Sequence, residues 1–94
     1  MFNKRDYKKC KIELVIPHCL LRIVKWNYPV SRLKKMLWGG KWLPHEKEER
    51  CYCIYKNGTN YWTLIIVPGK CTIFIITVYP SCNREIEEFK RFRK

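Results

Sequence analysis

Acidic residues are scarce in this chain. Its 94 residues hold 8 Asp and Glu against 20 Lys and Arg, a formal net charge of +12. Aspartate occurs once, as Asp6. Two-metal hydrolases gather several carboxylates around their ions, so that chemistry is disfavoured. Long apolar runs are also missing. The longest lie around Leu64–Val67 and Ile73–Val78, far short of a membrane span. Met1 to Cys10 is polar and charged, so no signal peptide is read there. The chain is expected in the cytoplasm, with no membrane partner. No CxxC pair occurs among Cys10, Cys19, Cys51, Cys53, Cys71 and Cys82, which gives a structural zinc site little support. Cys51, Cys53 and His45 come nearest to one, and thiols alternating along a strand face are the plainer reading. Neither a metal nor a cofactor is expected.

What is present argues for one globular domain. Hydrophobic residues make up 47% of the chain, too many for a disordered basic tail. A chain of this length folds to a radius of gyration of roughly 13 Å. Charge is unevenly spread: from Tyr7 to His45 there are nine Lys and Arg and only Glu13 opposing them. From Cys51 to Asn83 only Lys56 and Lys70 are charged.

Element by element, Lys11–Ile16 reads as a strand ended by Pro17. His18–Trp26 reads as a short helix with Leu20, Leu21, Ile23 and Val24 as its apolar stripe. A break at Asn27, Tyr28 and Pro29 precedes a second helix from Ser31, which carries Leu33, Met36 and Leu37 inward and ends at Gly39-Gly40. Lys41–Glu49 reads as a loop. Arg50–Lys56, Asn60–Val67 and Cys71–Tyr79 read as an antiparallel meander, with Asn57-Gly58 as the first turn. Arg84–Arg93 reads as a last helix capped by Ser81 or Asn83, with Glu85, Glu87 and Glu88 early and Lys90, Arg91 and Arg93 late. The predicted class is α+β, in the order β-α-α-β-β-β with a short C-terminal helix. Two helices cover one face of a small antiparallel sheet, and the other face is left for a ligand.

A surplus of twelve positive charges calls for an anionic partner. Aromatics interleaved with those charges point to RNA or single strands, whose bases stack on them. Tyr28, Trp38, Trp42, Tyr52, Tyr55, Tyr61, Trp62 and Tyr79 exceed what so small a core needs, and some are expected at the surface. Lys25, Arg32, Lys34, Lys35 and Lys41 are the candidate phosphate contacts.

Two places could carry chemistry. His18 opens the first helix, and Arg22 follows one turn later on the same face. Metal-free RNA cleavage needs a base for the ribose 2′-hydroxyl and a cation for the phosphate. Imidazole suits the first role and guanidinium the second. Taken alone, His18 reads more readily as a helix-start residue bonded to backbone. The second place is Thr77-Val78-Tyr79, where Thr77 and Tyr79 are expected on one strand face together with Ile73 and Ile75. Their hydroxyls could meet a phosphate, but by themselves they read as a β-branched strand residue and a tyrosine edging the core.

The order of these features resembles the small ribonuclease toxins of the RelE, barnase and colicin type. The resemblance runs from about Lys11 to Pro80 and rests on the His18-x-x-x-Arg22 helix, the meander and the closing Thr77-x-Tyr79 strand. It implies a RelE-like fold and RNA cleavage to a 2′,3′-cyclic phosphate without metal. It also implies catalytic roles for His18, Arg22, Thr77 and Tyr79, and an acidic antitoxin as partner. The chain departs from the pattern in lacking a second histidine near the last strand, and His45 would serve only if its loop folded over the site. Two other readings fit the same residues: a non-catalytic RNA- or DNA-binding module, and a basic protein-interaction protein.

Overall fold

The computed structural model describes residues 4–15, 18–26 and 31–91. The strand end at Ile16 and Pro17, the break at Asn27, Tyr28 and Pro29, and the helix end at Arg93 lie outside the described residues. So do the side chains of His18 and Leu20. A 3-10 turn, Lys4–Tyr7, comes first. It is followed by β1 (Lys11–Leu14), α1 (His18–Trp26), α2 (Ser31–Gly39), β2 (Lys41–Pro44), β3 (Cys51–Asn57), β4 (Asn60–Pro68), β5 (Thr72–Pro80) and α3 (Asn83–Arg91). The strands form one sheet in the order β1-β5-β4-β3-β2. The radius of gyration is 12.3 Å.

The meander is present as predicted. Asn57 pairs with Asn60, and Gly58 turns the chain with φ 64°, a conformation that glycine adopts without steric cost. Two strand assignments differ from the sequence reading. Lys41–Pro44 is not loop but an edge strand, paired antiparallel to β3 through Trp42 and Cys53. β1 is not part of an antiparallel set: it runs parallel to β5 at the opposite edge, Ile12 beside Ile73.

α1 and α2 cover one face. Cys19 and Ile23 of α1 and Leu33, Met36 and Leu37 of α2 form a core with Cys51, Cys53, Leu64, Ile66, Ile73, Ile75 and Val78. In α1, the inward face is therefore Cys19 and Ile23. Leu21 and Val24, expected in the apolar stripe, lie outside at 65% and 73% exposure. Cys19 and Ile23, four residues apart, share a face because 3.6 residues complete a turn, and Leu21 and Val24 fall off that face.

The end of α2 is fixed by close contact. A Cβ on Gly40 would lie 2.8 Å from the Cys53 sulfur and from the Met36 carbonyl, so only glycine lets β2 leave the helix so near β3. The last helical carbonyls find donors elsewhere. The Trp42 indole N–H donates to Leu37 O, and the Lys4 ammonium donates to Trp38 O and Gly40 O.

α3 covers the other face, so that face is not free. Phe89 packs edge-on to Tyr61, and the Lys41 ammonium donates to Phe89 O while standing 4.3 Å over its ring. Leu43, Ile54, Thr63 and Ile65, which alternate with the core residues of their strands, are buried on this side.

A bulge decides where the end of β5 points. Ile65 pairs with Thr77, but Ile66 pairs with Ile75, leaving Ile76 without a counterpart. One extra residue reverses the side-chain alternation beyond it. Val78 therefore joins Ile73 and Ile75 in the core. Thr77 and Tyr79, predicted on the Ile73–Ile75 face, stand on the α3 face beside Ile65 and Thr63.

Candidate functional site

On the α3 face, a buried carboxylate joins helix to sheet. Glu85 is 8% exposed. Its Oε1 accepts from the Cys82 amide at 3.0 Å and the Thr63 hydroxyl at 3.2 Å. Its Oε2 accepts from Tyr79. The Thr63 hydroxyl also pairs with that of Ser81 at 2.7 Å. Glu85 occupies the third position of α3 and reaches back to Cys82, one half of a capping box. Cys82, not Ser81 or Asn83, is thus the cap, and its carbonyl takes the first helical bond, from Ile86. Burial, then the bond to Glu85, push the Tyr79 phenol well above its ordinary pKa.

Beside this network is a cavity of about 570 Å³. Leu43, Pro44, Tyr52 and Ile54 line the sheet side; Cys82, Arg84, Glu85 and Glu88 line the helix side, with Glu46 at the loop. His45 packs its ring 4.6 Å from that of Tyr52 and accepts the Lys47 amide at Nδ1. Tyr52 donates to Glu46, and Arg84 stands 3.5 Å from the same carboxylate. The Glu46 carboxyl is held below its ordinary range by its own backbone N–H; burial opposes this, and His45, Tyr52 and Arg84 add to it. Glu48 and Glu49 share the loop and Glu87 shares α3, so six of the chain's eight carboxylates belong to this loop and helix. Lys47, Arg50, Arg84, Lys90 and Arg91 belong to the same loop and helix, so the charge here is mixed and close to balanced.

The α1–α2 layer has the opposite character. Residues 18–39 contain no carboxylate but carry Arg22, Lys25, Arg32, Lys34 and Lys35. Lys25, Arg32, Lys34 and Lys35 are exposed and Arg22 is half-buried. Trp26, 38% exposed, lies under the Lys25 ammonium at 5.1 Å.

Comparison with solved structures places this fold. It is shared with a ribonuclease toxin. The chain superimposes on the crystal structure of the Brucella abortus ribonuclease toxin BrnT with a TM-score of 0.62 and 21% identity, over 79% of this chain and 99% of that one. No family model matches the chain, and no curated protein matches its sequence. The α+β, ribonuclease-toxin-like fold read from the sequence is therefore present.

The predicted site residues are spread over both faces. His18 opens α1, and Arg22 follows on the same helix, which packs on the face of Ile73 and Ile75. Thr77 and Tyr79 are on the opposite face because of the bulge at Ile76. The Tyr79 hydroxyl is bound to Glu85 and is not free for a phosphate. Lys41, predicted to bind nucleic acid, donates to Phe89 O near the end of α3. Of the surplus aromatics, Trp42 is buried, and Trp38, Tyr52, Tyr55, Tyr61, Trp62 and Tyr79 are half-buried. Tyr28 lies outside the described residues. Two thiols behave as expected of strand packing, Cys51 and Cys53 both lying in the core under α2. All six cysteines are free. The Glu85 network went unread because Glu85 appears in sequence only as one of three glutamates suited to a helix start. Its distance of three residues from Cys82 was the available signal. No helix among the described residues is long and apolar enough to cross a membrane.

Proposed function

We propose that this chain is a metal-independent endoribonuclease of toxin type, acting in the cytoplasm and held by an acidic antitoxin. The observation that carries the reading is the carboxylate-free basic layer of α1 and α2 on a fold shared with a ribonuclease toxin. Of the two histidines, His18 belongs to that layer. His45 sits beside Glu46 in a corner of mixed charge.

In this reading His18 takes the proton of a ribose 2′-hydroxyl. The 2′-oxygen bonds to the adjacent phosphorus as the bond to the 5′-oxygen breaks, and the leaving 5′-oxygen takes a proton from water, leaving a 2′,3′-cyclic phosphate and a 5′-hydroxyl. Arg22 binds the phosphate oxygens as charge grows on them. Lys25, Arg32, Lys34 and Lys35 hold the flanking backbone. Thr77 and Tyr79 take no part, since they face α3.

The test is incubation of the purified protein with mixed-sequence RNA in EDTA, followed by analysis of the product ends. Cleavage with 2′,3′-cyclic phosphate termini supports the reading. Salt-sensitive binding with intact RNA would replace it with a non-catalytic binding module.

A further inference from the structure

α1 is apolar on more than the side it buries. Cys19 and Ile23 face the sheet, while Leu21 and Val24 are 65% and 73% exposed. Three residues apart, they are neighbours on the helix surface. A helix with apolar residues on two sides is normally covered on two sides. The sheet covers one, and no described element covers the other.

The charges beside this stripe are all of one sign. Arg22 and Lys25 flank Leu21 and Val24, and neither α1 nor α2 contains a carboxylate. A second copy of the chain would set Arg22 and Lys25 against their own equivalents, within a pair that each carry +12. RNA matches the charge but offers no aliphatic stripe for Leu21 and Val24. A protein segment with both properties satisfies both.

We propose that the outer face of α1 docks an acidic amphipathic helix of another protein. Its apolar residues, three and four apart, cover Leu21 and Val24, and its carboxylates meet Arg22 and Lys25. The surface is argued from exposure and charge and stands whether or not the chain cleaves RNA.

The probe is a synthetic helical peptide with one leucine stripe and glutamate elsewhere, titrated into the isotope-labelled full chain. A second peptide replaces every glutamate with lysine. The expected result is amide shifts concentrated in residues 18–26, with affinity for the glutamate peptide at least about tenfold above that for the lysine peptide. The double variant L21Q/V24Q, whose sites are exposed, should keep the unfolding temperature and lose about tenfold or more in affinity. Lys25→Glu should shift preference towards the lysine peptide. Three results overturn the proposal: shifts confined to other elements, undiminished binding by L21Q/V24Q, or self-association of the wild type that L21Q/V24Q abolishes. The last would make the occupant a second copy.

Discussion

The Tyr79 hydroxyl donates to Oε2 of Glu85 at 2.5 Å, so the last strand and the last helix share a part-buried hydrogen bond. That bond exists because Ile76 is bulged. Tyr79→Phe removes a donor to a buried carboxylate and should lower stability by roughly 1–3 kcal/mol. Its effect should also depend on pH. The phenol is raised above its ordinary value, so Tyr79 contributes stability below about pH 10 and loses it as pH rises further. Urea unfolding of both proteins at neutral and alkaline pH should show a gap that narrows above about pH 10. RNA cleavage per folded molecule should be unchanged.

The thiols should divide by burial. Cys71 and Cys82 are exposed, whereas Cys19, Cys51 and Cys53 are buried. Burial pushes the Cys51 thiol up to about 12 and raises Cys53 as well. Thiolate is the reactive form. Alkylation followed by mass spectrometry should therefore modify Cys71 and Cys82 in the native protein, and Cys51 and Cys53 only on unfolding. Early labelling of Cys53 would contradict the packing of α2 on β3.

Gly40→Ala should destabilise the fold by about 1–3 kcal/mol through overpacking. The new methyl meets the Cys53 sulfur and two backbone carbonyls, of Met36 and Ile54. Cys53→Ala in the same chain should restore only part of the loss, because the carbonyl contacts remain. Thermal unfolding of the single and double variants measures this.

How much of this was legible in the sequence depends on whether an element is set by its own residues. α1 is found with the bounds His18–Trp26, because apolar periodicity and the residues around it are local signals. The β3–β4 turn is likewise local, fixed by Asn57-Gly58. β2 is different. Lys41–Pro44 is four residues ending in proline, and only pairing with β3 makes it a strand. The parallel placement of β1 also depends on a distant partner. The bulge was invisible because Ile73, Ile75 and Ile76 are interchangeable in pattern. Misplacing that one residue put Thr77 and Tyr79 on the wrong face, and with them half of the expected site.

The lysines should separate by role. Lys34 and Lys35 are exposed on α2, whereas Lys41 anchors Phe89. Replacing Lys34 and Lys35 with alanine should weaken RNA binding and reduce the slope of log affinity against log salt by about 2. Lys41→Ala should leave that slope in place and lower the unfolding temperature instead. Fluorescence titrations at several salt concentrations make the comparison.

The most direct measurement compares RNA cleavage rates of His18→Ala and His45→Ala with wild type, in EDTA and at matched folded fraction. His18→Ala should lose about 100-fold or more, the scale of a missing general base. His45→Ala should retain wild-type cleavage. Wild-type rates in His18→Ala, or a loss confined to His45→Ala, would move the chemistry to the His45 corner beneath α3 and contradict the assignment of RNA to the α1–α2 layer.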